Sequence, residues 1–194
     1  MNSREFILDR VRRNQPAPTD LPAIPDFANA PADAWAAFAL ALARMGGQAV
    51  DGNGDLAALL RERFPTARVV VSATPEFPGT RALPLAAAPG ELEDVDLGVV
   101  RAAFGVAETG SVWLSEREFG VNALGFLPQH LVVLLDPAAI VADLHAAYRH
   151  RGFFEARYAA LMTGPSATAD IEGVLIRGAQ GIRSLTVVAC GVSG

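Results

Sequence analysis

The sequence predicts an α/β domain with a mainly parallel central sheet flanked by helices. A largely β-branched run at 68–72 and apolar runs at 97–100 and 131–135 are typical of strands that are buried on both faces of a parallel sheet. Segments with apolar residues at helical spacing separate these runs, as expected where helices connect parallel strands. The chain has 194 residues and is 51% hydrophobic, so it can bury one sizeable core.

The charged residues exclude several classes of function. The net charge is −5, and the 16 basic residues are scattered along the chain and are all arginine. Scattered cations do not neutralise a row of phosphates, so nucleic-acid binding is not expected. The absence of lysine excludes Schiff-base chemistry and a P-loop, because both require an amine.

Cys190 is the only cysteine in the sequence. One thiol can form no intramolecular disulfide, and by itself it cannot hold an iron–sulfur cluster or a cysteine-rich zinc site. We therefore expect no metal and no cofactor in this chain, and a reducing, cytoplasmic setting. No apolar run reaches about 18 residues, so no membrane span is expected. The first residues also lack the apolar block of a secretory signal.

The first 31 residues are expected to lie outside the main domain. Residues 3–14 place Ile7 and Val11 at helical spacing, which predicts a short amphipathic helix with a solvated arginine face. Residues 15–31 hold five prolines, which predicts an extended arm that crosses the domain or reaches a neighbouring subunit. The predicted organisation is a helix and arm over 1–31 and an α/β domain over 32–194.

Two helices and a strand are predicted next. Pro31 suits a first helical turn, and Gly46 ends a helix whose apolar residues recur at spacings of three and four. Asp55 is expected to cap a second helix over 56–64, which Pro65 stops. A strand over 68–72 and a proline-rich loop over 74–89 follow.

The segment Ala107-Glu108-Thr109-Gly110-Ser111 follows a predicted strand over 97–100 and forms a tight connection into 112–114. Glu108, between small residues at a strand edge, is poorly placed for packing and well placed to project into a cleft. It can serve as a general base, a nucleophile or an acceptor for a ligand hydroxyl. It can equally be a turn carboxylate that bonds nearby backbone N–H groups, and both interpretations remain open.

The segment Leu127-Pro128-Gln129-His130 leads into a predicted strand over 131–135. His130, beside a proline at the start of a strand, is the better candidate for a site histidine than the two histidines at 145 and 150. Asp136 and Pro137 are expected to open a helix that runs to about residue 150. Residues 156–162 fit either a helix or a strand, and a final strand is predicted over 185–190.

The segment Thr163–Glu172 reads Thr-Gly-Pro-Ser-Ala-Thr-Ala-Asp-Ile-Glu. Gly164 and the proline after it break the preceding element, and Ser166 or Thr168 is expected to cap a short helix whose start holds an anionic ligand. Asp170 and Glu172 would lie beside the same mouth; a capped helix with acidic residues in its first turn is the plainer alternative. Since ligands bind beyond the carboxyl ends of parallel strands, we expect one crevice in which Glu108 faces 164–166.

These three segments, in this order and separation, resemble the signatures of the lactate utilization (LUD) domain, LutC/YkgG type. The resemblance covers nearly the whole chain. It implies a NagB/RpiA/CoA-transferase-like fold and a part in oxidising L-lactate to pyruvate, together with iron–sulfur partner proteins that carry the redox centres. The catalytic candidates are Glu108 and Asp170. The ligand-binding candidates are Thr109, Gly110, His130, Gly164, Ser166, Thr168 and Arg183.

The late glycine loop departs from the family pattern. Relatives commonly place a histidine between the glycines and a proline after them, where this chain has Gln180 and Ile182. An amide cannot exchange protons near neutral pH as imidazole does. Arg183 remains and can pair with a substrate carboxylate.

Three functions follow as hypotheses. The first is a cytoplasmic accessory subunit of a lactate-oxidising complex, with a small carboxylate ligand and iron–sulfur subunits as partners. The second is a free-standing enzyme of CoA-transferase type, in which Glu108 attacks an acyl-CoA. The third is a protein that binds a small metabolite in the same crevice without turnover.

Overall fold

The computed structural model of the chain describes residues 2–25, 30–52, 54–84, 86, 88–170 and 172–191. The helices in these ranges are α1 (Ser3–Arg13), α2 (Ala34–Arg44), α3 (Leu56–Arg63), α4 (Glu116–Phe119), α5 (Leu144–Tyr148) and α6 (Gly152–Glu155). The strands are β1 (Gln48–Asp51), β2 (Val70–Ser72), β3 (Leu97–Arg101), β4 (Phe104–Val106), β5 (Ser111–Ser115), β6 (His130–Leu135), β7 (Ile140–Val141), β8 (Ala159–Met162), β9 (Ala167–Thr168), β10 (Ile176–Arg177) and β11 (Ser184–Ala189).

The central sheet is parallel throughout, with the strand order β1-β11-β6-β3-β2. Alternate residues of its inner strands enter two different cores, so both faces are buried. Leu131 and Val133 pack with Phe38 of α2 on one face, and Val132 packs with Leu60 of α3 on the other. The predicted fold class, a mainly parallel sheet flanked by helices, is confirmed.

Four further strands form a second sheet in the order β7-β4-β5-β8. Strands β4 and β5 form an antiparallel hairpin whose turn is 107–110, as the sequence predicts. Strand β8 pairs antiparallel with β5, so residues 159–162 of the ambiguous segment 156–162 form a strand. Phe104 and Trp113 of this sheet stack at 5.4 Å between ring centroids and anchor a separate small core.

The long helix predicted over 136–150 is wrong. Asp136 does cap a helical turn by accepting from the N–H of Ala138, but that turn ends at Ala139. Ile140 and Val141 then pair with β4, and the helix restarts only at Leu144 as α5. The strand pairing holds these two residues in an extended conformation, which a continuous helix does not permit.

The short helix predicted after Gly164 is also wrong. Ala167 and Thr168 form β9, which pairs antiparallel with Ile176 and Arg177 of β10. Because this segment is a hairpin, it offers no helix start to an anion. Asp170 and Glu172 are exposed in the connection between the two strands, and Glu172 has a φ of 55°.

The amino-terminal helix is present as predicted, with Asn2 and Glu5 forming a reciprocal capping box. Residues 15–25 of the predicted arm contain no helix or strand. Residues 26–29 of that arm, 85 and 87 of the predicted loop, and 171 of the Thr163–Glu172 segment lie outside the described residues. The division of the chain at 31/32 stays a prediction.

Candidate functional site

Three hydroxyl side chains join the β4–β5 turn to the segment that follows β8. The pairing of Val112 with Met162 brings Ser111 opposite Thr163. The Ser111 hydroxyl hydrogen-bonds to the Thr163 hydroxyl, and its oxygen lies 2.7 Å from Oγ1 of Thr109. The chain of hydroxyls ties two of the three sequence motifs together. The sequence pointed to Thr109 as a ligand-binding residue, but it did not indicate the roles of Ser111 and Thr163.

Two motif glycines pack against the carboxyl-terminal end of α2. Gly110 has a φ of 67°, and a Cβ at this position would lie 2.6 Å from the Cα of Leu42. Gly164 has a φ of 74°, and a Cβ there would lie 2.6 Å from the carbonyl oxygen of Met45. Both conformations and both close approaches favour glycine. The turn and the Thr163–Ser166 segment therefore meet at one end of α2.

Glu108 is exposed on the turn, and its carboxylate reaches α5. Its Oε2 accepts a hydrogen bond from the backbone N–H of Leu144 at 3.0 Å, and its own N–H donates to the carbonyl of Ala142. Glu108 was expected to face 164–166, but its described hydrogen bonds are to Ala142 and Leu144 instead. They match the turn-carboxylate interpretation, while a catalytic role for Glu108 stays a prediction.

His130 and Ser184 begin two neighbouring strands and are paired in register. Nδ1 of His130 lies 2.7 Å from the Ser184 hydroxyl oxygen, and the His130 ring packs 5.1 Å from the ring of Phe64. Burial lowers the pKa of His130, and the nearby Arg183 lowers that pKa further, while Asp96 opposes the shift. The imidazole is therefore mainly neutral near pH 7, and in this neutral form it can accept a proton.

The backbone of Ser166 links its segment to the late glycine loop. Its N–H donates to the carbonyl of Ile182 at 3.0 Å, and its carbonyl accepts from the N–H of Gly178 at 2.7 Å. The N–H of Arg183 donates to the carbonyl of Gln129, the residue before His130. These bonds bring Ser166, Arg183 and His130 into one neighbourhood of the chain. We refer to the hydroxyl cluster, the two motif glycines and this neighbourhood as the motif surface.

Two ligand-binding or catalytic candidates belong to the β9–β10 hairpin. The hydroxyl of Thr168 accepts a long hydrogen bond of 3.4 Å from the N–H of Asp170. Thr168 is half-buried, whereas Asp170 is exposed. The expected convergence of Asp170 with Glu108 is not seen, since Glu108 bonds to the start of α5.

The position of the motif surface relative to the central sheet also differs from the expectation. His130 and Ser184 are the first residues of β6 and β11, so they lie at the amino ends of the parallel strands. The crevice between Glu108 and 164–166 was expected beyond the carboxyl ends, whereas His130 was predicted at the start of its strand, where the structure places it. In parallel sheets, ligands usually bind in a crevice beyond the carboxyl ends of the strands, whereas His130 and Ser184 lie at the opposite ends.

The carboxyl ends of β2 and β3 border a separate cavity of about 340 Å³. Arg101 ends β3 and pairs with Glu76 at 2.6 Å, and it also donates to the carbonyl of Cys190 at 3.0 Å. The Arg101 and Glu76 side chains are 21% and 25% exposed, respectively. A second cavity of about 400 Å³ shares Arg117 and Glu118 with the first one. The sequence analysis did not identify these residues.

The described residues contain no group of three or more His, Cys, Asp and Glu side chains that could hold a metal ion. In the same ranges, no helix is both long and apolar enough to cross a membrane.

Comparison with known proteins identifies relatives of the chain. A family model for the LUD domain matches residues 89–190, a range that contains all three sequence motifs. An uncharacterised protein of Neisseria meningitidis serogroup B is 30% identical over 99 residues, which are 50% of this chain and 42% of that protein. The match thus spans less than half the length of this curated relative.

A solved structure gives the corresponding likeness of fold. The crystal structure of a DUF162 family protein from Deinococcus radiodurans superposes with a TM-score of 0.63 at 18% sequence identity. The match covers 82% of this chain and 98% of that one. It supports the α/β fold described above.

Proposed function

The chain belongs to the LUD domain family, and from that premise we propose that it is a LutC-like accessory subunit of a cytoplasmic complex that oxidises L-lactate to pyruvate. The observation that carries the proposal is the family match over 89–190, a range that includes the three motif segments that meet at the motif surface. Its partners are iron–sulfur proteins of lactate utilisation.

The proposed division of labour follows from the chemistry of the reaction. Oxidation of lactate to pyruvate releases two electrons and two protons, so an electron acceptor is required. The single cysteine of the chain cannot by itself hold an iron–sulfur cluster, and in this proposal the redox centres belong to the partners. The role left for this chain is to bind the small carboxylate or to position it for a partner.

The residues suited to that role are those of the motif surface. The Arg183 guanidinium offers the planar, two-pronged donor set that a carboxylate prefers. His130 is neutral near pH 7 because its pKa is lowered, so it can accept a proton. The hydroxyls of Thr109 and Thr163 are half-buried, and the buried Ser111 hydroxyl that bonds to both of them holds them in place to contact a hydroxy acid.

The test is an anaerobic pull-down of the tagged protein from its own cells. The eluate is examined for visible absorbance and for lactate-dependent reduction of a dye. Brown, active partners are expected to co-purify. A colourless protein that elutes alone would contradict the proposal, and tight binding of a metabolite by that protein would favour a binding or regulatory role instead.

Two variants then test the catalytic candidates within the complex. Glu108→Gln keeps an oxygen that accepts from the N–H of Leu144, so it removes the charge while preserving the local contact. If Glu108 is a general base, lactate-dependent activity should fall by about 10²–10⁴-fold. Unchanged activity would leave Glu108 a structural turn carboxylate. Asp170→Asn applies the same test at the exposed hairpin.

A second candidate function is a CoA transferase in which Glu108 is the nucleophile. The observation that favours it is an exposed carboxylate on a turn two residues before Gly110. Attack of the carboxylate on an acyl-CoA would give a mixed anhydride and free CoA thiolate, and the thiolate would then form a glutamyl thioester and release the acid. Hydroxylamine trapping after incubation with acyl-CoA tests this step. Absence of a trapped adduct across a panel of acyl-CoAs would exclude it.

A further inference from the structure

Ser184 is the only residue in the described part of the chain that forms a hydrogen bond with the ring of His130. Its hydroxyl oxygen lies 2.7 Å from Nδ1, whereas Nε2 has no hydrogen bond to any described residue. The His130 side chain is half-buried, so it is partly open to a ligand. Nε2 is therefore the ring nitrogen that remains available for chemistry.

The strand pairing fixes the position of Ser184 relative to His130. The two residues are register partners on adjacent parallel strands, which lie about 4.8 Å apart. Side chains of register partners project from the same face of a sheet. The ring of Phe64 packs against the imidazole at 5.1 Å between ring centroids. The hydroxyl group and the aromatic ring together hold the imidazole in one orientation.

The hydrogen bond at Nδ1 decides what Nε2 can do. A neutral imidazole carries one ring proton, and the partner of one nitrogen sets which nitrogen carries it. If Nδ1–H donates to Ser184, Nε2 keeps a lone pair and can accept a proton. If the Ser184 hydroxyl donates to Nδ1, the ring proton is on Nε2, which is then a donor. Oxidation of a hydroxy acid releases the proton of its hydroxyl group, so only the first arrangement provides a base for that proton.

Two charged residues, Arg183 and Asp96, act on His130. Burial and Arg183 lower the pKa of His130, whereas Asp96 raises it, and the ring is mainly neutral near pH 7. The Asp96 carboxylate accepts hydrogen bonds from two backbone N–H groups, and the Asp96 carbonyl accepts from the N–H of His130 at 3.0 Å. No described hydrogen bond joins the Asp96 carboxylate to the imidazole, so the orientation of the ring depends on Ser184.

We propose that Ser184 is a positioning residue that accepts a hydrogen bond from Nδ1–H of His130 and thereby leaves Nε2 to accept the hydroxyl proton of a bound hydroxy acid. This inference rests on the proposed function, which supplies the hydroxy acid. Nε2 takes one of the two protons that the oxidation releases. The second proton, from the carbon atom, goes to water, and the two electrons pass to the iron–sulfur centres of the partners.

Nitrogen-15 NMR of the isolated full chain tests the hydrogen bond without a substrate. The chain has three histidines, so the ring signals are few, and His130→Gln identifies those of His130. At a pH well above its pKa, His130 should carry its proton on Nδ1. His150 is the internal control and should show the opposite tautomer, because its Nδ1 accepts from the N–H of Gly152 at 3.2 Å. A proton on Nε2 of His130 would overturn the proposal.

Two variants of Ser184 separate positioning from packing. Ser184→Ala removes the acceptor, so His130 should populate both tautomers. Ser184→Thr keeps a hydroxyl group and suits a strand, so Nδ1 of His130 should keep its proton. An unchanged tautomer in Ser184→Ala would overturn the positioning role.

Lactate-dependent dye reduction by the chain and its partners tests the consequence for the reaction. The maximal rate should fall by about 10–100-fold in Ser184→Ala, as is typical when the residue that orients a functional histidine is lost. Ser184→Thr should restore most of the rate, and the half-saturating lactate concentration should change little. An unmodified rate in Ser184→Ala would overturn the inference and leave the proposed function standing. If the unmodified chain and its partners oxidise no lactate, the proposed function and the base role both fail, while the NMR result still decides the tautomer.

Discussion

Replacing Gly110 with alanine should lower the free energy of unfolding for two reasons, the positive φ of this residue and its close approach to α2. Its φ of 67° lies in the left-handed region, where a side chain costs about 1–2 kcal/mol. A Cβ would also lie 2.6 Å from the Cα of Leu42 and still closer to its nitrogen, and this helix backbone cannot rotate away. Such overpacking adds about 1–3 kcal/mol. The free energy of unfolding should therefore fall by about 2–5 kcal/mol in total.

Gly173 provides the matched control. Its φ of 70° is nearly the same, but a Cβ there would meet nothing within 4 Å. Gly173→Ala should therefore cost only the conformational term of about 1–2 kcal/mol. Urea unfolding followed by circular dichroism gives both values. If Gly110→Ala costs no more than Gly173→Ala, the β4–β5 turn does not pack on α2 and the described motif surface is wrong.

Three further predictions concern polar contacts. The pKa of His130 is lowered by burial and by Arg183, so below about pH 6.5 the unfolded chain binds a proton that the folded chain does not. The free energy of unfolding should therefore decrease as the pH is lowered through this range. The decrease should be less steep in His130→Gln, as measured by urea midpoints. Asp96 accepts from the N–H groups of Val69 and Arg68, which lower its pKa, so its contribution is present above about pH 3.9 and is lost as the pH falls through the folded pKa. Asp96→Ala should cost about 1–2 kcal/mol at pH 7 in the same assay, and less in strong acid, where the carboxyl group is protonated. Arg101 and Glu76 form a half-buried ion pair, and a double-mutant cycle with Arg101→Met and Glu76→Gln should give a coupling energy of about 1–2 kcal/mol. A coupling energy near zero would contradict this ion pair.

Strands β3, β6 and β11 of the central sheet could be predicted from the sequence because their residues are mainly apolar, whereas β1, which reads Gln-Ala-Val-Asp, was not predicted as a strand. Strands β3 and β6 begin or end within one residue of the predicted bounds. Both faces of these strands are buried, so no polar residue interrupts the run. Asp55 was predicted to cap α3, and its carboxylate does accept hydrogen bonds from two backbone N–H groups at the start of that helix.

The two wrong helices were predicted from residues whose local preference is ambiguous. Asp136 and Pro137 favour a helical start, and they do begin one, but the pairing of Ile140 with Gly105 depends on a distant strand. Ser166 and Thr168 are cap formers that are also common in turns and hairpins. The backbone partners of Thr168 and Ser166 are eight or more residues away in the chain, which local patterns do not reveal.

The candidate site could be predicted in its segments but not in its side-chain contacts. The meeting of the first and last motifs was expected, and the glycines at 110 and 164 explain it. The contact of Glu108 could not be predicted, because its donor is the N–H of Leu144, which is free only where α5 begins. The partnership of His130 with Ser184 likewise depends on the register between β6 and β11.

As a proposed accessory subunit, this chain should support lactate oxidation only together with its partners. The most direct measurement is lactate-dependent dye reduction, without oxygen, by the purified chain, by an extract of cells that lack it, and by the two combined. Either component alone should show little activity, and the mixture should regain activity with a saturable dependence on the amount of added chain. Full activity of the chain alone, or of the extract without it, would rule out the accessory role.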